Sequence, residues 1–183
     1  MSKDDKEFEH INVPFHLQPQ LRLYRRLIIS SVDIEEAKAT VQELTDRRIA
    51  LPKNGIPNGL LMALTTALVV SYSRPFINSR GQSEIADKTV PAILLKSFTS
   101  KERSIHEEIL SIRNKEVAHA DVDILEISIK LHEGGHSAIF RNVRSPFTHS
   151  ELKLILKMIE KLKQSFDSRC EELRTQLPLD AWM

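Results

Sequence analysis

Cysteine is almost missing from this chain: Cys170 stands alone, which excludes an internal disulfide and any site built from clustered thiolates. That usage points to a reducing, cytoplasmic setting. Glycine is scarce, with five residues among 183, and no glycine-rich phosphate loop is present. Serines are plentiful, yet none stands in a strand-turn-helix nucleophile setting, so hydrolase and nucleotide-kinase readings drop out. Neither sign of charge dominates. A formal net charge of +1 and a pI near 7.9 make any contact with nucleic acid local rather than a property of the whole surface. The most apolar run, "GLLMALTTALVV" at 59–70, is too short to span a bilayer. The opening "MSKDDKEFEH" lacks the basic-then-apolar order of a secretory signal.

What is present is globular composition, 41% hydrophobic and 28% charged, in a chain long enough for one domain with a real core. Residues 1–12 read as a flexible charged tail, and 13–183 as a single domain. "VPFHLQPQLRLYRRLIISS" fits either period: Leu21 and Leu23 alternate like a strand, whereas Tyr24 and Ile28 are spaced like a helix. From Asp33 the pattern is helical. Asp33 and Glu36 have capping-box spacing, Ile34, Ala37, Val41 and Leu44 repeat at three and four, and the helix is expected to end near Arg48. "LPKNGIPNG" then forces a chain reversal. A second helix is expected from Pro57 or Asn58 to Arg74, where Pro75 stops it. Its apolar residues surround the axis, which describes the helix at the centre of the core.

The polar stretch 78–89 reads as a surface loop, and "VPAILLKSF" as a short helix or an extended connector. A third helix is expected to start near Thr99 or Ser100, with Glu102 in capping-box position, and to run to about Ala120. The period then changes to two. Ile127, Ile129 and Leu131 alternate, Gly134-Gly135 supplies a turn, and Ile139, Arg141 and Val143 alternate again, giving a β-hairpin within residues 125–143. The last helix is expected to open at Thr148, capped by Glu151, and to reach about Leu177 before Pro178. Its stripe of Leu152, Leu156, Ile159, Phe166, Leu173 and Leu177 is longer than a small core needs, which leaves the far end to pack on a second copy.

The chemistry-bearing residues cluster in "SIRNKEVAHAD", 111–121. His106 and Arg113, seven apart, differ by only about 20° round a helix, whereas Arg113 and His119 differ by about 120°. Arg113 and His119 therefore converge only if the helix ends or distorts near "AHAD", or if each meets its counterpart in a second protomer. "RNKEVAH", Arg113 to His119, resembles the arginine-polar-histidine signature of the HEPN superfamily, helical-bundle domains named for higher eukaryotes and prokaryotes nucleotide-binding. The wider "SIHEEILSIRNKEVAHAD" extends the likeness. "SYSRPF" at 71–76 is similar to a segment of HEPN proteins of the phage-abortive-infection kind.

The resemblance implies a mainly α fold, a HEPN-like bundle with the hairpin inserted. It also implies a homodimer with paired motifs and a metal-independent endoribonuclease in phage defence or a toxin-antitoxin system. His119 would serve as acid/base, Arg113 as phosphate clamp and Asn114 as an orienting group, with His106 and Arg74 supporting the substrate. RNA and a nucleotidyltransferase-type antitoxin are the implied partners, and no cofactor or membrane is. The plainer readings are a dimeric binding module without catalysis and a structural helical protein. In the latter, Arg113 and Arg74 would only neutralise helix ends and His119 would be a hydrogen-bonded core residue. His132 and His136 flank the glycine turn without a third ligand at suitable spacing, so no metal is expected. "RLYRR" at 22–26 reads as a solvated face rather than a phosphate track.

Overall fold

One helix of 29 residues, α1 (Gln18–Asp46), organises the chain. The computed structural model describes residues 13–47, 59–78, 85–114, 125–142 and 147–178; the expected tail at 1–12, His119 and Ala120 lie outside them. A short 3₁₀ turn, Phe15–Leu17, leads into α1, and Gln18 Nε2 donates to Val13 O at 2.8 Å. The helix begins fifteen residues before the Asp33 start expected from the sequence. Its buried positions, Leu21, Leu27, Ser30, Ile34, Ala37, Val41 and Leu44, keep helical spacing throughout. Polar Ser30 interrupts the apolar stripe, which is why the first half hides its period.

Asp33 and Glu36 are therefore not a cap. Inside a continuous helix the backbone N–H groups already have partners, and these two carboxylates, one turn apart, grip Arg74 instead. The second helix, α2 (Gly59–Ser73), ends in a 3₁₀ turn, Arg74–Phe76, because Pro75 lacks the N–H needed to continue. Arg26, 5% exposed, donates from Nη2 to Arg74 O, placing a cation at the carbonyl end of α2. A third 3₁₀ turn, Ala92–Leu95, precedes α3 (Ser100–Ile112). The strands β1 (Leu125–His132) and β2 (Gly135–Asn142) pair antiparallel, with His132 opposite Gly135. Glu133 and Gly134 form the turn rather than Gly134 and Gly135. Gly134 has φ 96°, a left-handed conformation that glycine adopts without Cβ strain.

The last helix, α4 (His149–Arg174), opens on a capping box between Thr148 and Glu151. At 1.5 Å per residue it is about 39 Å long. Ile155, Met158, Ile159, Leu162 and Phe166 are sealed from solvent together with Leu27, Ile34, Ala37 and Val41 of α1 and Leu68, Val69 and Tyr72 of α2. The centre of the core is thus α1, not α2. Leu60 on α2 is 46% exposed, so that helix turns one side outward although its sequence is apolar all round. The far end of α4 is also not left for a second copy. Leu177 is buried with Val13 and Leu21, and Leu17 and Tyr24 pack around them, so the start of α1 covers it. Among the described residues no helix is long and apolar enough to cross a membrane.

The third helix is fastened to α4 by one ion pair. Lys161 Nζ donates to both carboxylate oxygens of Glu102, at 2.8 and 2.7 Å, and to Ser97 O at 3.2 Å. Glu102 is 3% exposed and also completes the Thr99 capping box. Burial raises its pKa, but the bonds from Lys161 and Thr99 outweigh it and hold the carboxyl below its ordinary value. Lys161→Met would leave that carboxylate dry and without its counter-charge, bonded to Thr99 N. The expected loss in urea unfolding followed by circular dichroism is about 3 kcal/mol, with partial recovery in the double variant that adds Glu102→Gln. An unchanged midpoint in the single variant would contradict this.

Candidate functional site

The residues singled out in the sequence divide between α3 and the end of α2. The helix α3 forms where Thr99 caps it: Glu102 N donates to Thr99 Oγ1 at 3.3 Å, and Thr99 N to Glu102 Oε2 at 2.7 Å. Its inner face carries Ile105, His106 and Ile109. At the C-terminal end the hydrogen bonding widens to a π-turn at Arg113 and Asn114, so the 100° step of an ideal helix no longer fixes the direction of later residues relative to Arg113. Arg113 Nη1 donates to Asn114 Oδ1 at 3.1 Å. Arg113 is half-buried and Asn114 exposed. Among the described residues no carboxylate pairs with this guanidinium, and the bond to Asn114 helps to set its plane. His119, the expected acid/base, lies outside the described residues.

Two turns earlier, His106 is 7% exposed. Its Nδ1 is hydrogen-bonded to Tyr72 Oη of α2 at 3.0 Å. Phe76 stands edge-on to the ring at a centroid distance of 4.7 Å, and Phe98 at 6.1 Å. Burial pushes the imidazole pKa below its ordinary value, with Glu107 pulling it up and Arg103 adding to the fall. Burial likewise pushes the Tyr72 phenol up. Both groups are held neutral, and they tie α3 to α2. In this arrangement the histidine has one nitrogen engaged and three aromatic walls, and it helps to fix the position of α3.

Arg74 is engaged as well. Its Nη1 donates to Asp33 Oδ1 at 3.2 Å and to Glu36 Oε2 at 2.9 Å. Burial raises the Asp33 pKa against the lowering effect of Arg74. The bond to Asp33 in turn raises the Arg74 pKa. The structure thus brings His106 and Arg113 onto one helix, about 10 Å apart along its axis, and sets Arg74 against α1. Tyr72, Asp33 and Glu36 are the partners that sequence reading missed. Asp33 and Glu36 were visible only as a capping pattern, and Tyr72 only as part of "SYSRPF", with nothing to pair it with His106. Three buried polar atoms, Arg26 Nε, Ser30 Oγ and Ser73 Oγ, have no hydrogen-bond partner among the described residues. Among those residues, too, no three potential metal ligands lie together. Compared with family models, with curated proteins and with solved structures, the chain matches none.

The buried histidine sets a pH dependence. With the folded-state pKa lowered from about 6.5, the unfolded chain binds more protons at acid pH. The contribution is whole above about pH 6.5 and is lost as pH falls below it. His106→Gln is expected to flatten the fall in melting temperature between pH 7.5 and about pH 5 relative to the parent chain. Parallel pH profiles for the two proteins would contradict it.

Proposed function

We propose that the chain is a HEPN-type, metal-independent endoribonuclease acting as a homodimer in phage defence or a toxin-antitoxin system. In this role Arg113 binds the scissile phosphate, and Asn114 keeps the guanidinium in plane. His119 removes the ribose 2′-hydroxyl proton or protonates the leaving oxygen. The observation that carries the proposal is the half-buried Arg113 fork at the end of α3, held by Asn114 and free of a carboxylate among the described residues. A half-buried arginine whose fork is occupied by no carboxylate of the described residues suits an anionic ligand. Tyr72 and His106 support the site from behind by fixing the helix that carries it. Attack by the 2′-oxygen would leave a 2′,3′-cyclic phosphate and a 5′-hydroxyl.

A second reading is favoured by one observation: Arg74 and His106 are both committed to bonds inside the chain. A dimeric HEPN module that binds RNA or a nucleotidyltransferase-type antitoxin without cleaving needs only Arg113 and the bundle. Incubation with mixed RNA in a chelator separates the two. The expected result is cleavage by the parent chain, reduced on the order of a hundredfold or more in His119→Ala and in Arg113→Ala with unchanged melting. Equal cleavage by all three, or binding without cleavage by any, would remove the catalytic assignment.

A further inference from the structure

A groove of about 850 Å³ is lined by residues of α1, of the connector before α3 and of α4, and by none of α3; one of its lysines, Lys161, pairs with Glu102 at the start of α3. One wall is apolar: Leu23 of α1 with Pro91, Ile93 and Leu94 of the connector. Ile93 is 67% exposed, an unusual position for a large aliphatic side chain in so short a turn. The facing wall belongs to α4 and carries Lys161, Gln164, Ser168, Arg169 and Glu172. These residues recur at three and four and so form one continuous face.

The charge of the groove is of one kind with a single exception. Lys96, Lys161 and Arg169 line it against Glu172. Lys96 is exposed and has no acidic partner among the described residues. Among the described residues Arg169 is held by Glu172 alone, at 2.6 Å; its side chain is 39% exposed and that of Glu172 61%, a surface pair that a competing carboxylate can displace. The groove is open on one side, so it does not enclose a small molecule as ligand pockets do. Three cations, one of them tied to Glu102, are too few to follow a phosphate backbone. An apolar wall facing a basic wall along about 16 Å instead matches three turns of a helix with an apolar stripe beside an acidic flank.

We infer that this groove receives an acidic amphipathic helix of a partner protein, its aliphatic side chains on Ile93, Leu94 and Leu23 and its carboxylates on Lys96 and Arg169. The inference does not depend on the ribonuclease reading. The test uses the full chain, labelled with ¹⁵N, and a synthetic helical peptide with leucines at i, i+4 and i+7 and glutamates beside them. Controls are the same peptide with lysine in place of glutamate, and a short uridine-only RNA. The acidic peptide is expected to shift the amide signals of Ile93, Leu94 and Ser168, and to bind at least about tenfold more tightly than the lysine peptide. The double variant Ile93→Asp, Lys96→Glu should weaken it by at least about tenfold with unchanged melting, since both positions are exposed. Equal binding of the two peptides, undiminished binding by the double variant, or shifts mapping elsewhere would overturn the inference. So would RNA moving these signals while the peptide does not.

Discussion

The carboxylate of Glu102 holds two pieces of structure at once. It closes the capping box that starts α3, and it takes two of the three hydrogen bonds that Lys161 sends from α4, the third going to Ser97 O. At 3% exposure the group is too dry to be left charged without these partners. The start of α3 is therefore fixed relative to α4. The Tyr72–His106 hydrogen bond then fixes the middle of α3 relative to α2. Arg113 is the first residue beyond the helix so held. A guanidinium on a long side chain is a useful phosphate ligand only when its origin is rigid.

The same logic explains the other arginines. Arg74 and Arg26 both sit at the break between α2 and its 3₁₀ turn. Arg74 faces two carboxylates of α1, and Arg26 reaches the carbonyl of Arg74. Together they stitch the end of α2 to the middle of α1 at the place where Pro75 removes a backbone donor. Their charges are used in the fold, whereas that of Arg113 is not matched by a carboxylate among the described residues. Lys96 likewise has no acidic partner among the described residues, but it is exposed, whereas Arg113 stands half-buried at a helix end.

How far the sequence disclosed this depended on the range of each signal. Thr99 with Glu102 and Thr148 with Glu151 carry the capping pattern, and both start helices. Asp33 with Glu36 carries it too and starts nothing. The difference lies upstream: non-helical backbone precedes Thr99 and Thr148, while a helix-compatible stretch precedes Asp33. A four-residue pattern does not report that context. The burial of Leu177 by the start of α1 was also illegible, since it joins opposite ends of the chain. The Tyr72–His106 bond spans 34 residues and left no mark beyond a histidine on an apolar face. The bond from Arg113 to Asn114 joins neighbours, yet the motif marked Asn114 only as a group orienting ribose or histidine and not as the partner of Arg113.

The most direct measurement is the guanidinium Nε–H signal of Arg113, followed in the ¹⁵N-labelled chain while a cleavage-resistant 2′-O-methyl RNA strand is added. The expected result is a saturable shift of that signal and of the Asn114 side-chain amide, the latter abolished by Arg113→Lys because an ammonium cannot reproduce the planar fork. An Arg113 signal that stays still while RNA binding saturates, or the absence of any RNA binding, would contradict the assignment of this helix end as the phosphate site.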